Sequence, residues 1–238
     1  MALIGTAGWS IPRTVRTRFP ESGSLLQRYA GRLNCAEINS SFYRPHRPAT
    51  YARWAATVPE HFRFSVKIPK LITHELALAR AGGPLDAFLA EASWLGPKLA
   101  CLLVQLPPKQ ELDRRVARRF FAMLRKRFEG PIALEPRNAT WFTAEAASIM
   151  IDHRVARVAA DPARVPEAAE PGGCDGIVYY RLHGSPRMYY SSYDDRFLAT
   201  VAARLSVVDA SRSAWCIFDN TTLGAAAANA LDLAQMMQ

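Results

Sequence analysis

Short apolar runs and longer amphipathic segments alternate eight times along this chain, and this alternation constrains its fold more than any other feature. The apolar runs have the length of buried strands, and most segments between them repeat apolar residues at helical spacing. The predicted strands are residues 3–9, 35–39, 62–68, 99–106, 132–135, 155–160, 177–183 and 213–218. The predicted helices are residues 24–33, 48–56, 84–95, 113–128, 143–153, 195–207 and 222–236. Because consecutive strands joined by helices lie parallel, the pattern predicts an α/β fold.

Eight such units in 238 residues match the usual size of a (β/α)8 barrel, or TIM barrel. The sixth connection, residues 163–174, contains two Pro and two Gly and is predicted to be irregular. An open doubly wound sheet is the alternative, and it is less favoured because no Gly-rich phosphate-binding turn follows any strand. No break in composition marks a linker, so residues 1–238 are predicted to form a single TIM-barrel domain.

Basic residues outnumber acidic ones by 30 to 21, which gives a net charge of +9. Such a surplus attracts anions in general, including nucleic acid, acidic lipid surfaces and phosphorylated molecules. The densest apolar run, residues 99–106, is far shorter than the roughly 20 residues that span a bilayer, so no membrane association is predicted. No signal peptide and no C-x-x-C pair are recognised, and a reduced, cytoplasmic protein is therefore expected.

Polar side chains collect at the late ends of the predicted strands. Alternate residues of a barrel strand face the interior, and catalytic groups of TIM barrels lie at the C-terminal ends of the strands. The polar residues at these ends are Glu37, Asn39, Lys67, Gln105, Glu135, Arg137, Arg181, His183 and the pair Asp219-Asn220, of which one must face inward. We expect them to meet at the C-terminal opening of the barrel, which is called the mouth below.

The mouth offers candidates for proton transfer and for anion binding. His183 titrates near neutral pH, and Glu135 is the second candidate for proton transfer. An arginine beside Glu135 is expected to lower the pKa of that carboxyl and keep it ionised. Cations outnumber carboxylates here, which favours an anionic ligand. The cations are Lys67, Arg137 and Arg181, and the carboxylates are Glu37 and Glu135.

These observations predict an enzyme that acts on an anionic small molecule, phosphorylated or carboxylated, by acid/base chemistry. Glu135 and His183 are the predicted catalytic pair. The residues predicted to hold or orient the substrate are Glu37, Asn39, Lys67, Gln105, Arg137, Arg181, Asp219 and Asn220. Trp9 ends the first predicted strand, and Tyr43 and Trp141 lie after the second and fifth. All three are expected to form aromatic walls of the same opening.

Three other interpretations stay open. The charged groups could form a purely structural ring of ion pairs, or the barrel could be degenerate and without catalysis. A divalent metal could bind the carboxylates and imidazole, although no metal-binding motif is present and no cofactor is indicated. The metal candidates are Glu37, Glu135, His183 and Asp219.

A different class of function is suggested by the helix predicted at residues 113–128. Its arginines fall away from its apolar face, and they include Arg115, Arg118 and Arg119. Such a face could bind nucleic acid or an acidic protein, with a steep dependence on salt. A simply solvated face is more common, and aromatic residues for base stacking are missing from it.

Ordered segments along nearly the whole chain resemble the YecE-like family, known as domain of unknown function 72. They are residues 5–9 (GTAGW), 37–43 (EINSSFY), 67–69 (KIP), 72–74 (ITH), 135–137 (EPR), 181–184 (RLHG) and 218–221 (FDNT), together with Trp54, Trp141, Asn229 and Ala230. The resemblance implies a TIM-barrel fold and supplies no activity, because none is established for the family. Residues 11–16 lack the aromatic character found in many members, so this part of the rim is expected to recognise a different ligand.

Overall fold

The structure, a computed structural model, describes residues 2–238. Within them the strands are β1 (Leu3–Ala7), β2 (Cys35–Ile38), β3 (Arg63–Lys67), β4 (Leu99–Gln105), β5 (Ile132–Glu135), β6 (Val155–Arg157), β7 (Ala159–Asp161), β8 (Gly172–Gly173), β9 (Ile177–Leu182) and β10 (Ser213–Phe218). The α-helices are α1 (Leu25–Ala30), α2 (Pro48–Thr57), α3 (Gly82–Ala92), α4 (Arg114–Arg125), α5 (Ala144–Asp152), α6 (Asp195–Ser206) and α7 (Ala225–Met236). Short 3-10 helices occur at Arg13–Arg18, Ser40–Phe42, Ser93–Lys98, Ala139–Trp141 and Pro166–Ala169, and Leu71–Glu75 forms a π-helical turn.

The strands form a parallel barrel, as the alternating pattern predicts. In order around the sheet, β9, β10, β1, β2, β3, β4, β5 and β6 each pair in parallel with the next. The sixth predicted strand is divided at Val158 into β6, which pairs with β5, and β7, which pairs with β9. The divided strand thus links both ends of the sheet, and the TIM-like fold is confirmed.

The sixth connection is irregular, as predicted. It contains a 3-10 helix at Pro166–Ala169 and then β8, which pairs antiparallel with β6 at the edge of the sheet. Gly173 has φ of +71°, and a Cβ at this position would lie 2.5 Å from the carbonyl oxygen of Val155. A side chain would not fit there, which explains why glycine follows the turn.

The core has two layers. Outward-facing strand residues pack against the helices, as Phe64, Val66 and Leu102 do, and all three are fully buried. A second cluster fills the lower barrel interior with side chains from alanine to tryptophan in size, namely Cys35, Cys101, Leu103, Ala133, Ala156, Val158, Ile177, Tyr179, Trp215 and Ile217. The interior is therefore solid below the mouth, as is usual for TIM barrels.

Capping residues set where several helices begin. Asp113 accepts from the backbone N–H groups of Arg115 and Val116 at the start of α4. Thr143 accepts from Ala146 N–H at the start of α5. These caps satisfy N–H groups that lack partners within the helix.

No helix in residues 2–238 combines the length and the apolar character that crossing a bilayer requires.

Candidate functional site at the barrel mouth

Arg181 is the centre of a buried network of ion pairs at the end of β9. Its Nε and Nη2 donate to the two carboxylate oxygens of Glu37 at 2.9 and 2.6 Å. Its Nη1 donates to Glu135 at 2.6 Å, and Nη2 also lies 3.1 Å from Asp219 Oδ2. The Arg181 side chain is completely buried. Carboxylates from β2 and β5, and one that follows β10, thus converge on one guanidinium group, which neutralises charges that would otherwise be costly to bury.

His183 lies between two of these carboxylates. Its Nδ1 is 3.0 Å from Asp219 Oδ2, and its Nε2 is 3.0 Å from Glu135 Oε1. An ionised carboxylate only accepts hydrogen bonds, so a ring that bonds two of them carries a proton on both nitrogens. Burial alone would lower the pKa of His183, but Glu135 and Asp219 raise it above its ordinary value. The geometry therefore favours an imidazolium ion here.

The carboxylates of the network are held in the ionised form. Burial alone would raise the pKa of Glu135, yet Arg181, His183 and Arg137 hold it well below its ordinary value. The pKa of Asp219 is likewise lowered by Arg181 and His183 against the effect of burial. Arg181 and Arg137 thus both act on Glu135 in the direction expected from the sequence.

Two tyrosines complete the network from below and above. Tyr179 lies under Arg181 in the barrel interior and its hydroxyl is 3.1 Å from Glu37 Oε2 and 2.9 Å from Ser65 Oγ. Tyr189 lies above, with its ring edge-on to His183 at a centroid distance of 5.7 Å. Its hydroxyl is 3.4 Å from both terminal nitrogens of Arg137.

Residues 184–193 form a covering loop over the network. The backbone N–H of Tyr189 bonds the carbonyl of His183, and its own carbonyl accepts from Thr222 N–H at 3.1 Å. Asn220 Nδ2 donates to the carbonyl of Ser191 at 2.9 Å. The cavity that remains beside Glu135, Arg137 and His183 measures about 10 Å³. This is about the space of one water molecule, so the structure leaves no room for a larger ligand beside these three side chains.

Lys67, at the end of β3, differs from the other charged groups of the mouth. Its side chain is buried, and its ammonium group lies 4.0 Å from the centre of the Phe42 ring. Burial and the nearby Arg181 lower its pKa from 10.5 to about 8. Among residues 2–238, no carboxylate oxygen lies within 4.0 Å of its Nζ, which is the distance limit for an ion pair. Lys67 therefore forms no ion pair with the carboxylates of the network, although its side chain is largely buried.

The count of charges corrects one sequence-based expectation. Asp219, rather than Asn220, faces into the network, so three carboxylates face the three cations Lys67, Arg137 and Arg181. The excess of cations expected from Glu37 and Glu135 alone is therefore cancelled. The mouth therefore carries a net positive charge only when His183 is protonated.

Several predicted binding residues lie outside the network. Trp141 is buried among the helices, where its Nε1 donates to the carbonyl of Gln110 at 3.1 Å. Trp9 packs edge-on against Trp54 and Phe64, at 5.1 and 6.3 Å, on the outward face of the sheet. Gly8, with φ of +78°, turns the chain just before this indole. Neither tryptophan is therefore placed to wall the mouth.

The remaining candidates lie around the network without joining it. Tyr43 is 75% exposed and lines an open groove of about 440 Å³ together with Phe42. Gln105 pairs in register with Glu135, but its amide donates to the backbone of Leu106. Asn39 has a buried side-chain oxygen with no hydrogen-bond partner. Asn220 holds the covering loop and Asn229 in place.

Sequence reasoning missed two residues at this site. Tyr179 lies in an apolar run, but it is two residues before Arg181, and strand alternation places both on one face. His74 packs edge-on against Phe42 at 4.9 Å, and burial together with Lys67 and Arg137 lowers its pKa to about 4. His74 is thus a neutral ring beside the cationic part of the mouth, and only its place in the ITH segment hinted at it.

The hypothesis of a metal site finds no support in the geometry. Over the described part of the chain, no three His, Cys, Asp or Glu side chains are grouped as ligands of one ion. The guanidinium of Arg181 lies among Glu37, Glu135 and Asp219, where a cation would otherwise be bound.

The arginines of α4 are largely engaged within the protein. Arg114 pairs with Glu145, Arg118 with Asp152 and Arg127, just after the helix, with Asp86. The side chain of Arg125 donates to backbone carbonyls of residues 128, 129, 130, 153 and 154. Arg115 and Arg119 remain exposed. Much of the charge on this face is thus engaged in contacts within the protein, and no observation favours a nucleic-acid surface.

Comparison with known sequences gives a family match over almost the full length. The profile of the family described as "Protein of unknown function DUF72" matches residues 3–238. The chain is 34% identical to the UPF0759 protein YecE of Escherichia coli (strain K12) over 107 residues, which cover 45% of this chain and 38% of YecE. It is 28% identical to the UPF0759 protein YunF of Bacillus subtilis (strain 168) over 149 residues, or 60% of this chain and 53% of YunF. The matched region thus spans about half or less of these relatives.

Solved structures share the fold. A DUF72 family protein from Enterococcus faecalis superimposes with a TM-score of 0.83 at 22% identity, covering 100% of this chain and 95% of that chain. A DUF72 family protein from Thermotoga maritima gives a TM-score of 0.82 at 22% identity, covering 100% and 99%. At this level of identity, the similarity establishes the architecture and carries no activity with it.

Proposed function

This chain belongs to the DUF72 family of proteins of unknown function, and we propose that it is an enzyme which acts on an anionic small molecule by acid/base chemistry at the barrel mouth. The observation that carries the proposal is His183, whose two ring nitrogens each lie 3.0 Å from a carboxylate oxygen. A histidine held in this way is oriented and protonated, as a general acid needs to be.

The network gives each member a separate part in this chemistry. Asp219 orients the ring of His183 and favours its protonated form, while Glu135 accepts from the other nitrogen. Glu135 contacts Nε2 of His183, and this contact persists whether Nε2 gives its proton to a substrate or keeps it. Arg181 holds both carboxylates ionised, so the proton resides on the ring rather than on an oxygen.

The preference for an anion follows from the groups that the network does not neutralise. With His183 protonated, four cations face three carboxylates, which leaves one positive charge at the mouth. Arg137 is 13% exposed, and two of its nitrogens have only the 3.4 Å contact with Tyr189 beside the bond to Glu135. An anion that displaces Tyr189 would gain paired N–H groups from Arg137.

A ring of ion pairs without chemistry is the competing interpretation. A purely structural ring is best served when every charge is paired, because an unpaired buried charge is costly. Lys67 has no ion-pair partner among residues 2–238, and the hydroxyl of Tyr189 contacts Arg137 only at 3.4 Å. Both features are expected of a site that awaits a ligand.

Ligand-induced stabilisation tests this proposal. Wild type, Arg137→Gln and the control Arg187→Gln are heated with inorganic phosphate, acetate, pyruvate and a panel of phosphorylated and carboxylated metabolites. Arg187 is exposed on the same loop and contacts only the ring of Tyr190 at 3.9 Å, so its loss leaves the network intact. A ligand at 100 times its dissociation constant stabilises the native state by about 2.7 kcal/mol.

We expect at least one anion to raise the melting temperature of wild type and of Arg187→Gln but not of Arg137→Gln. That anion is then assayed for turnover, which His183→Gln should abolish while binding persists. Stabilisation that Arg137→Gln retains, or that disappears instead when Arg115, Arg118 and Arg119 are replaced together, would refute binding at the mouth. Failure of the whole panel would leave the structural ring as the better account.

A further inference from the structure

An open groove of about 440 Å³ lies next to the mouth, and the function proposed above makes no use of it. It is bounded by the turns that follow β2 and β3 and by one face of α3. Phe42 lines the groove, and the same ring contacts the ammonium group of Lys67 at 4.0 Å, so the groove and the mouth share a wall. The volume is that of a pocket for a small molecule, for which roughly 300–1,000 Å³ is typical.

The walls of the groove are largely apolar and partly uncovered. Tyr43 is 75% exposed, and its ring packs edge-on against Phe42 at 5.0 Å. Leu71 is 44% exposed, while Pro69 and the buried Phe88 continue the apolar lining. A flat ring placed here would remove aromatic and aliphatic surface from water, which favours binding.

A buried hydroxyl without a partner lies at this groove. Tyr51, in α2, is fully buried and belongs to the lining. Its ring is held edge-on by His46 and Trp54, at 5.7 and 5.4 Å. The hydroxyl finds no hydrogen-bond partner among residues 2–238. Such groups are rare in native structures, and one that borders a cavity indicates a bound molecule with a polar group.

Glu91 determines which polar group would fit. Burial and the nearby charge of Glu91 raise the pKa of Tyr51, so the hydroxyl end of the ring faces this carboxylate. Glu91 is half-buried and also lines the groove, and its Oε2 accepts only a long hydrogen bond of 3.3 Å, from the backbone N–H of His46. An ionised carboxylate only accepts hydrogen bonds, whereas a tyrosine hydroxyl both donates and accepts. A ligand group that bonds both side chains is therefore an N–H or O–H donor.

The other charges of the lining give no preference for an anion. Lys70 pairs with Glu75 at 3.6 Å, and both side chains are more than half exposed. Arg44 is exposed as well. Two basic and two acidic side chains thus line the groove, and of these only Glu91 is half-buried. The groove therefore differs from the mouth in the kind of ligand that it favours.

We propose that this groove is a binding site for a small aromatic molecule that carries an N–H or O–H donor. The ring of the ligand lies against Phe42, Tyr43 and Leu71, and its donor group reaches Glu91 and the hydroxyl of Tyr51. The site lies outside the network of the mouth, and it does not depend on the function proposed there.

Three probes with the same ring test this assignment. Phenethylamine, 2-phenylethanol and phenylacetate carry an amine, a hydroxyl and a carboxylate on similar short chains. Each is titrated into the full chain by calorimetry at one ionic strength, and the melting temperature is measured with and without it. The variants are Tyr51→Phe and Glu91→Gln. Tyr190→Phe on the covering loop and Glu129→Gln on the exposed surface are the matched controls.

We expect the amine and the alcohol to bind wild type and both controls, and phenylacetate to bind at least about tenfold more weakly. Tyr51→Phe should weaken binding of the amine and the alcohol by about threefold or more. Its melting temperature without ligand should equal or exceed that of wild type, because the change removes an unsatisfied hydroxyl. Glu91→Gln should weaken binding of the amine by about tenfold or more, since a charge-assisted hydrogen bond is lost.

Four results would overturn the proposal. They are failure of all three probes to bind, equal binding of all three, affinities unchanged in Tyr51→Phe and Glu91→Gln, and binding that is lost in Arg137→Gln instead, which would place it at the mouth. A dimer of wild type that Tyr43→Ser dissociates would also overturn it, because a second copy would then cover the groove. Should Glu91→Gln fail to fold, Tyr51→Phe alone decides. None of these results bears on the anion panel, which tests the mouth through Arg137.

Discussion

Replacing Lys67 with Met removes a buried ammonium group and keeps an unbranched side chain of similar length. The folded state lowers the pKa of Lys67 from 10.5 to about 8, so it disfavours the charged form. A shift of about 2.5 units corresponds to about 3 kcal/mol, which the wild type loses at any pH below about 8. Met avoids this cost and also fits the apolar contact with Phe42. We therefore expect Lys67→Met to be more stable than wild type by up to about 3 kcal/mol at pH 7.

The pH dependence has a definite sign. Because the pKa is lower in the folded state, the unfolded state binds more protons between pH 8 and 10.5, and the stability of wild type rises with pH in this interval. The advantage of Lys67→Met should therefore shrink to below about 1 kcal/mol at about pH 10. Urea unfolding of both proteins at the two pH values measures this, with Lys70→Met as the exposed control. A variant that is less stable than wild type at pH 7 would show that Lys67 has a partner in the network and would refute the reasoning.

Three further predictions concern the network and the cysteines. Arg181→Met leaves the carboxylates of Glu37 and Glu135 buried without their cation, and urea unfolding should show a loss of at least about 3–5 kcal/mol; a loss below about 1 kcal/mol would contradict the central place of Arg181. The pKa of His183 is raised in the folded state, so the protonated ring stabilises the fold fully below pH 6.5, and this stabilisation is lost as the pH rises through the folded-state pKa. The difference in unfolding free energy between wild type and His183→Gln should therefore fall steadily with increasing pH. A constant difference would mean that the ring is not protonated. Among the four free thiols, half-buried Cys174 should react with a thiol reagent in the native state. Cys35, Cys101 and Cys216 should stay unlabelled, because they are buried and the pKa of each is raised. Mapping of the labelled peptides measures this difference.

Strand periodicity carried most of what could be predicted. Because alternate residues of a strand share a face, charged residues at the ends of β2, β5 and β9 had to point into the same barrel, and the structure brings Glu37, Glu135 and Arg181 into direct contact. The same rule would have found Tyr179. The rule fails only where a strand ends, as at Asp219 and Asn220, since the last residues can turn either way.

Loop residues escaped prediction for a different reason. A residue that follows a strand must lie near the rim of the barrel. The sequence does not show whether its side chain points toward the mouth or toward the surrounding helices. Trp141 ends the 3-10 helix Ala139–Trp141, and its indole lies between the helices, where the carbonyl of Gln110 accepts its N–H. Tyr189 reaches the network through a backbone with φ of +69°, a conformation that no local pattern in the covering loop specifies.

The comparison of Arg181 with Lys67 shows where chemistry is to be sought in this barrel. Arg181 is more deeply buried, yet its N–H groups are matched by carboxylate oxygens, and its pKa is raised despite the opposing effect of burial. Lys67 forms no such ion pairs, and burial of its side chain lowers its pKa. A charge that is buried and paired stabilises the arrangement around it, whereas one that is buried and unpaired reduces stability, and natural structures keep such groups mainly where they function. The ion pairs of Arg181 therefore act as the rigid frame of the mouth, and the function proposed above assigns the chemistry to the proton of His183.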